Sequence, residues 1–306
     1  PAGTTPRTTI RRDSHAHMPI FTTPEPISVA IDLVVGNVRI TAGDRADTVG
    51  VGPSDGSHEP DVRAAEQTRV GYAAGRLLVK APKQRGLGLF GRVGSIDVTI
   101  ELPAGSHVQA ESSVAAFSCV GQLGECRVKT SSADIQLDHT GRLEVNTGGG
   151  AIVVDRVAGH VEVSTGSGKV PVLQIDGTAV IKNSNGDIWV GEITGDVRLN
   201  AANGDISVDH AHAGITANGD VRIGEITRGS AALRTAFGEI EIGTHPGTVA
   251  RLDVHTWFGR VHNHMDTAHG PESCDETVEV RANTSYGDIE IRHSSDPERT
   301  HRMEPA

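Results

Sequence analysis

From residue 27 the chain alternates apolar and polar positions with period two. Ile27, Val29, Ile31 and Leu33 are apolar, with Ser28, Ala30 and Asp32 between them, and Val38 and Ile40 continue the pattern beyond Gly36. Such alternation predicts a strand with one buried face. A short second strand is expected over 48–51, a turn-rich loop over 53–60 (PSDGSHEP), and one helix over 61–70 with Asp61 as its cap. Strands are expected again at 77–81 and 95–102, on either side of a Gly- and Arg-rich loop.

Beyond residue 107 the alternation comes in units of nearly fixed length. Residues 183–190 read NSNGDIWV, and the frame returns as AANGDISV (201–208), TANGDVRI (216–223), TAFGEIEI (235–242), TWFGRVHN (256–263) and TSYGDIEI (284–291). Earlier copies are TGSGKVPV (165–172), TGGGAIVV (147–154) and TSSADIQL (130–137). The residue after the central glycine position recurs at steps of 17, 18, 18, 18, 15, 19, 21 and 28. The columns one and three places beyond it are apolar in 17 of 18 instances, Asn263 being the exception, so both point inward. The column between them holds Gln136, Val153, Pro171, Trp189, Ser207, Arg222, Glu241, His262 and Glu290, is mostly polar, and points outward. A second strand precedes each frame, as in Leu143/Val145 and Val197/Leu199.

Two strands per unit with in-register columns predict parallel stacking of equivalent strands about 4.8 Å apart. An antiparallel sandwich has no reason to repeat residue identity every 18 positions. The expected fold is therefore all-β: a right-handed parallel β-helix or β-solenoid of about 18 residues per coil, with a non-repetitive, β-rich N-terminal cap. Its divisions are a disordered leader (1–17), the cap with one short helix (18–106), the repeats (107–293) and a disordered tail (294–306). Asn185, Asn203 and Asn218 are expected to form an amide ladder, followed by stacked Phe237, Phe258 and Tyr286.

Composition narrows the function. Aromatics make up 3% and glycine is abundant (37 residues), as thin stacked coils require. A net charge of −11 disfavours nucleic acid and anionic membranes as partners. Three cysteines, Cys119, Cys126 and Cys274, form no disulfide framework, and Cys119 and Cys126 lack metal or redox spacing. No apolar run approaches the length of a transmembrane segment and the first residues hold no signal-peptide core, so a cytoplasmic protein is expected.

The GDI-type frames together with LVVGNVRI at 33–40 resemble a bacterial family, the putative-adhesin, β-strand-repeat domains of unknown function. The resemblance covers nearly all of 18–293. It implies a β-helix-like fold and brings no catalytic residues. An adhesin is exported, and no export signal is visible here.

Residues 86–91 (GLGLFG) match the dinucleotide fingerprint in form, but a strand-like segment follows where the fingerprint needs a helix. The same loop carries Lys80, Lys83, Arg85 and Arg92 around an apolar tip of Leu87, Leu89 and Phe90, a candidate contact finger. Asp187, Asp205, Asp220 and Glu239 stack along one edge and suggest a cation, though Ala151, Lys169 and Arg260 interrupt the column and the calcium-binding glycine pattern is absent. His255, His262, His264 and His269 lie near Cys274 without a compelling ligand set. The expected function is a non-enzymatic interaction or scaffold module with no cofactor. It would engage a protein or glycan through Trp189, Arg222, Glu241 and His262 and through the 87–90 tip. The alternative is a carbohydrate-active β-helix enzyme, a lyase or hydrolase.

Overall fold

The computed structural model describes residues 9–11, 18–23, 25–43, 49–82, 94–246, 248–265 and 276–294. The protein is a β-solenoid. In its middle, each strand pairs in parallel with its equivalent in the next coil. Leu143 faces Val161, which faces Ala179, which faces Val197. On the opposite wall Val154 faces Val172, which faces Val190, which faces Val208. Both inward columns are almost wholly buried, with Ile152, Ile188, Ile206, Ile240 and Ile289 each 0% exposed. At roughly 25 cal/mol per Å² of apolar surface, this continuous aliphatic column is the main stabilising term.

The stacking order departs from the chain order at both ends. The strands Ser28–Asp32 and Val35–Gly43 pair in parallel with His107–Gln122 on one side. On their other side lie Arg76–Lys80 and Ile96–Pro103, also parallel. The N-terminal region thus supplies two stacked coils, the later in sequence lying outermost. Antiparallel strands Arg69–Ala73 and Val49–Pro53 then cover the outermost coil's edges. At the far end Thr277–Tyr286 lies between Gly229–Phe237 and Val249–Phe258, and Ile289–His293 lies between Ile240–Thr244 and Val261–Asn263. The coil formed by the final repeat is therefore inserted beneath the one that precedes it in sequence.

The helix spans Glu59–Gln67, with Pro60 in its first turn and no side-chain cap. Asp61 does not cap it, contrary to expectation. Its buried carboxylate accepts the Ser95 and Asp55 amides at 2.9 and 3.2 Å and pairs with His58 Nδ1 at 2.7 Å. Ala64 and Ala65 join the core.

The central glycines make the close stacking possible. Gly150 has φ +112°, and a Cβ there would lie 1.9 Å from the Ala133 carbonyl oxygen of the preceding coil. Inside the same corner Thr147 donates to the Gly149 carbonyl at 2.8 Å. Asn183 fills the equivalent position one coil beyond Thr165 and donates to the Gly168 and Gly186 carbonyls. The polar start of NSNGDIWV is thus an internal brace.

Candidate functional site

The outward column lies on one wall of the stack, and its register places the expected residues. Pro171, Trp189, Ser207 and Arg222 follow one another across adjacent coils. Arg222 then faces Glu241, Glu241 faces Glu290, and Glu290 faces His262. Glu241 and His262 are consequently separated by a coil, because the last repeat is inserted between them.

Trp189 is half-buried rather than exposed, and its indole N–H donates to Asp209 Oδ1 at 3.2 Å. Arg222 Nε contacts Glu241 Oε2 at 2.6 Å, and Arg292 closes on the other carboxylate oxygen, so Glu241 is held between two guanidinium groups. His262 Nε2 lies 3.8 Å from Asp288, and its ring is parallel to that of His264 at 6.3 Å. The structure brings Arg222 and Glu241 together and leaves Trp189 and His262 apart from them. Leu87, Leu89 and Phe90 lie outside the described residues, as do the GLGLFG segment, His269 and Cys274. The described element that follows GLGLFG is the strand Ile96–Pro103, so no helix there offers its N-terminus to a phosphate.

Within the acidic column Asp187 has a structural role, and Asp134 and Asp288 play the same part at equivalent positions in other coils. Asp134 accepts the Ala151 amide at 2.9 Å, Asp187 the Asp205 amide at 3.3 Å, and Asp288 the Arg260 amide at 2.7 Å. These carboxylates satisfy backbone donors of the next coil, and Lys169 Nζ lies 3.6 Å from Asp187. Among the described residues, no three His, Cys, Asp or Glu side chains converge on a metal-sized site. The buried thiols of Cys119 and Cys126 are pushed up to about 12 by loss of hydration, which keeps them protonated at neutral pH.

Three grooves on the solenoid walls lack the carboxylate pair of glycoside cleavage among the described residues. The first, of about 520 Å³, contains Arg76, His107, Gln109, Glu125 and Arg127. The others contain His160, Asp196 and Arg198, and Arg39, Asp134 and Gln136. Among the described residues each has one carboxylate, whereas that chemistry in its usual form needs two. Asp196 and Asp134 are also occupied with the amides of Gly214 and Ala151.

The amide ladder forms between Asn203 and Asn185, at 3.1 Å, and stops there. Asn218 stacks on Asn200 instead, because the coil that follows Asn203 is shortened at this corner. The aromatics do stack, in the order Phe237, Tyr286, Phe258, at 5.1 and 4.8 Å and within 7° of parallel. Beside them Trp257 is 74% exposed. Sequence reasoning missed Trp257. A usable signal existed, since its column otherwise holds small residues such as Gly166, Ser184, Ala236 and Ser285.

The family model for Toastrack DUF4097 matches residues 28–292. The chain belongs to the Toastrack DUF4097 family. The match runs from the first strand of the stack into the last, so it includes both crossed ends of the Toastrack domain. It supports the resemblance drawn from the GDI frames. Among solved structures, a putative adhesin from Parabacteroides distasonis ATCC 8503 is 14% identical, with 91% of this chain and 98% of that one covered and a TM-score of 0.46. A putative adhesin from Parabacteroides merdae ATCC 43184 is 12% identical, with 91% and 97% covered and a TM-score of 0.42. A putative lipid binding protein from Parabacteroides distasonis ATCC 8503 is 10% identical, with 92% and 98% covered and a TM-score of 0.33. No curated protein matches the Toastrack chain.

Proposed function

We propose that this Toastrack domain is a non-enzymatic interaction module whose protein partner docks along the aromatic edge of Phe237, Tyr286, Phe258 and Trp257. The observation that carries the reading is their exposure, 47–74%, in a chain otherwise poor in aromatics. Contiguous exposed apolar surface, as in the stack of Phe237, Tyr286 and Phe258, marks interaction sites. A protein is favoured over a glycan because stacking covers both faces of Tyr286 and one face each of Phe237 and Phe258, and sugars pack on open faces. The self-paired polar groups of the outward column and the single-carboxylate grooves support the non-enzymatic part.

The test is affinity capture with the wild-type domain and with Trp257→Ser and Phe258→Asn, which substitute residue types found in equivalent columns of other coils. Loss of one specific protein with both variants, at unchanged circular dichroism, is the expected result. Glycan-array binding that survives both substitutions would move recognition elsewhere. Turnover of any polysaccharide would overturn the reading and favour the carbohydrate-active alternative. A cytoplasmic location is part of the proposal, and cell fractionation tests it.

A further inference from the structure

The two ends of the solenoid are finished differently. At the N-terminal end antiparallel strands and the helix cover the outermost coil. At the other end Val249–Phe258 pairs only with Thr277–Tyr286 among the described residues, and Val261–Asn263 only with Ile289–His293. Its inward side chains Ala250, Leu252 and Val254 are half-buried and Val261 is 42% exposed, whereas Val278, Val280 and Ala282 one layer in are at most 1% exposed. Among the described residues the backbone is also open. Val249 donates inward to Glu276 at 2.9 Å, and successive residues of a strand direct their amides to opposite sides. Ala250, Leu252 and Val254 therefore present N–H and C=O groups on the free edge. An uncovered strand edge over an apolar layer invites a further strand.

The charges on this edge point to its occupant. Along the outer face Arg251 stands beside Glu279 and Asp253 beside Arg281, each pair opposite in sign. Antiparallel pairing of two identical edges centred on Leu252 sets Arg251 of each copy against Asp253 of the other. The sign then alternates without a break through four layers: Glu279, Arg251, then the second copy's Asp253 and Arg281. The same register sets Leu252 against itself and Ala250 against Val254, so the apolar layer continues. It also makes Leu252 a hydrogen-bonded pair, as its outward amide requires. A two-fold, self-complementary contact needs these matches together. We infer that this open end is the site where a second copy of the chain docks, edge to edge and antiparallel, to join two solenoids into one stack. The inference does not rest on the proposed partner at the aromatic edge.

The test uses the full chain in sedimentation velocity over roughly 1 µM to 1 mM, a range spanning moderate to weak association. Wild type is expected to dimerise. Asp253→Arg leaves two cations on the edge and Arg251→Asp leaves two anions, so each variant alone should remain monomeric. An equimolar mixture of the two should dimerise, because every cross-strand pair is again opposite in sign. Circular dichroism of each variant confirms the fold. A monomeric wild type overturns the inference, whether hydrogen exchange finds the 250–254 amides open or covered by the chain itself. Self-association of the variants as strong as that of wild type, failure of the mixture to dimerise, or open-ended filaments overturns it equally.

Discussion

Gly149 and Gly150 are neighbours in one turn, yet the fold asks different things of them. Replacing Gly150 by alanine puts a Cβ on a residue at φ +112°, 1.9 Å from the Ala133 carbonyl oxygen and 2.4 Å from its carbon. The conformational strain costs about 1–3 kcal/mol. Moving a backbone carbonyl in a stack spaced at about 4.8 Å costs about 1–3 kcal/mol more. The sum is about 2–6 kcal/mol, enough to consume much of an ordinary domain's stability. At Gly149 a Cβ meets only the Ser167 oxygen at 3.5 Å, ordinary contact, and the backbone needs no left-handed conformation. Alanine there should be neutral, or stabilising by up to about 1 kcal/mol through the unfolded chain. Guanidinium titrations followed by circular dichroism compare the two variants directly. If Gly149→Ala and Gly150→Ala unfold at the same denaturant concentration, close stacking is not what the central glycine provides.

Other consequences are as direct. Asp61→Ala removes the acceptor for two backbone amides and should cost about 1–3 kcal/mol, with hydrogen exchange rising in 49–103 before the middle coils are affected. Burial raises the pKa of Glu225, but hydrogen bonds from Ser294 and His245 outweigh it and hold the carboxyl below its usual 4.5. Its stabilising contribution is therefore complete above about pH 4.5 and fades as pH falls through the lowered value. Glu225→Gln should flatten that acid limb in a thermal-melt series. Because the acidic column forms no metal-sized cluster among the described residues, and Asp187 is held by the Asp205 amide and Lys169, millimolar Ca²⁺ should give no heat in titration calorimetry and no change in melting temperature; a saturable signal would refute that reading.

The repeats were legible because each coil imposes the same demands at the same corner: two buried aliphatics, a glycine and an amide or hydroxyl brace. The order of the end coils was not. Ile240 stacks on Ile289, but Val261 offers the same kind of side chain, so the column does not distinguish its neighbours. Only the long steps of 21 and 28 hinted at the insertion. Asn263, the polar exception in an inward column, now has a reason. It lies in the outermost coil, half outside the core, where its Oδ1 accepts the Met265 amide at 3.0 Å. At the candidate site, Arg222 and Glu241 could be paired from the repeat alone. The Trp189 bond to Asp209 could not, because its partner lies 20 residues on, past the equivalent position in the next coil. The shortened coil likewise shifted Asn218 out of a ladder that the 18-residue period predicted.

The crossed ends also govern how the stack can come apart. In a solenoid wound strictly in order, the outermost coil is also the chain's end, free to peel like the loose turn of a spring. Here the outermost coil at each pole is held by chain at both of its ends, and the first and last strands of the stack, Ser28–Asp32 and Ile289–His293, are clamped one layer inside. Neither of these two strands can unwind until the coil above it has lifted away as a closed loop, so pulling on the stack through them should meet resistance from the first layer onward.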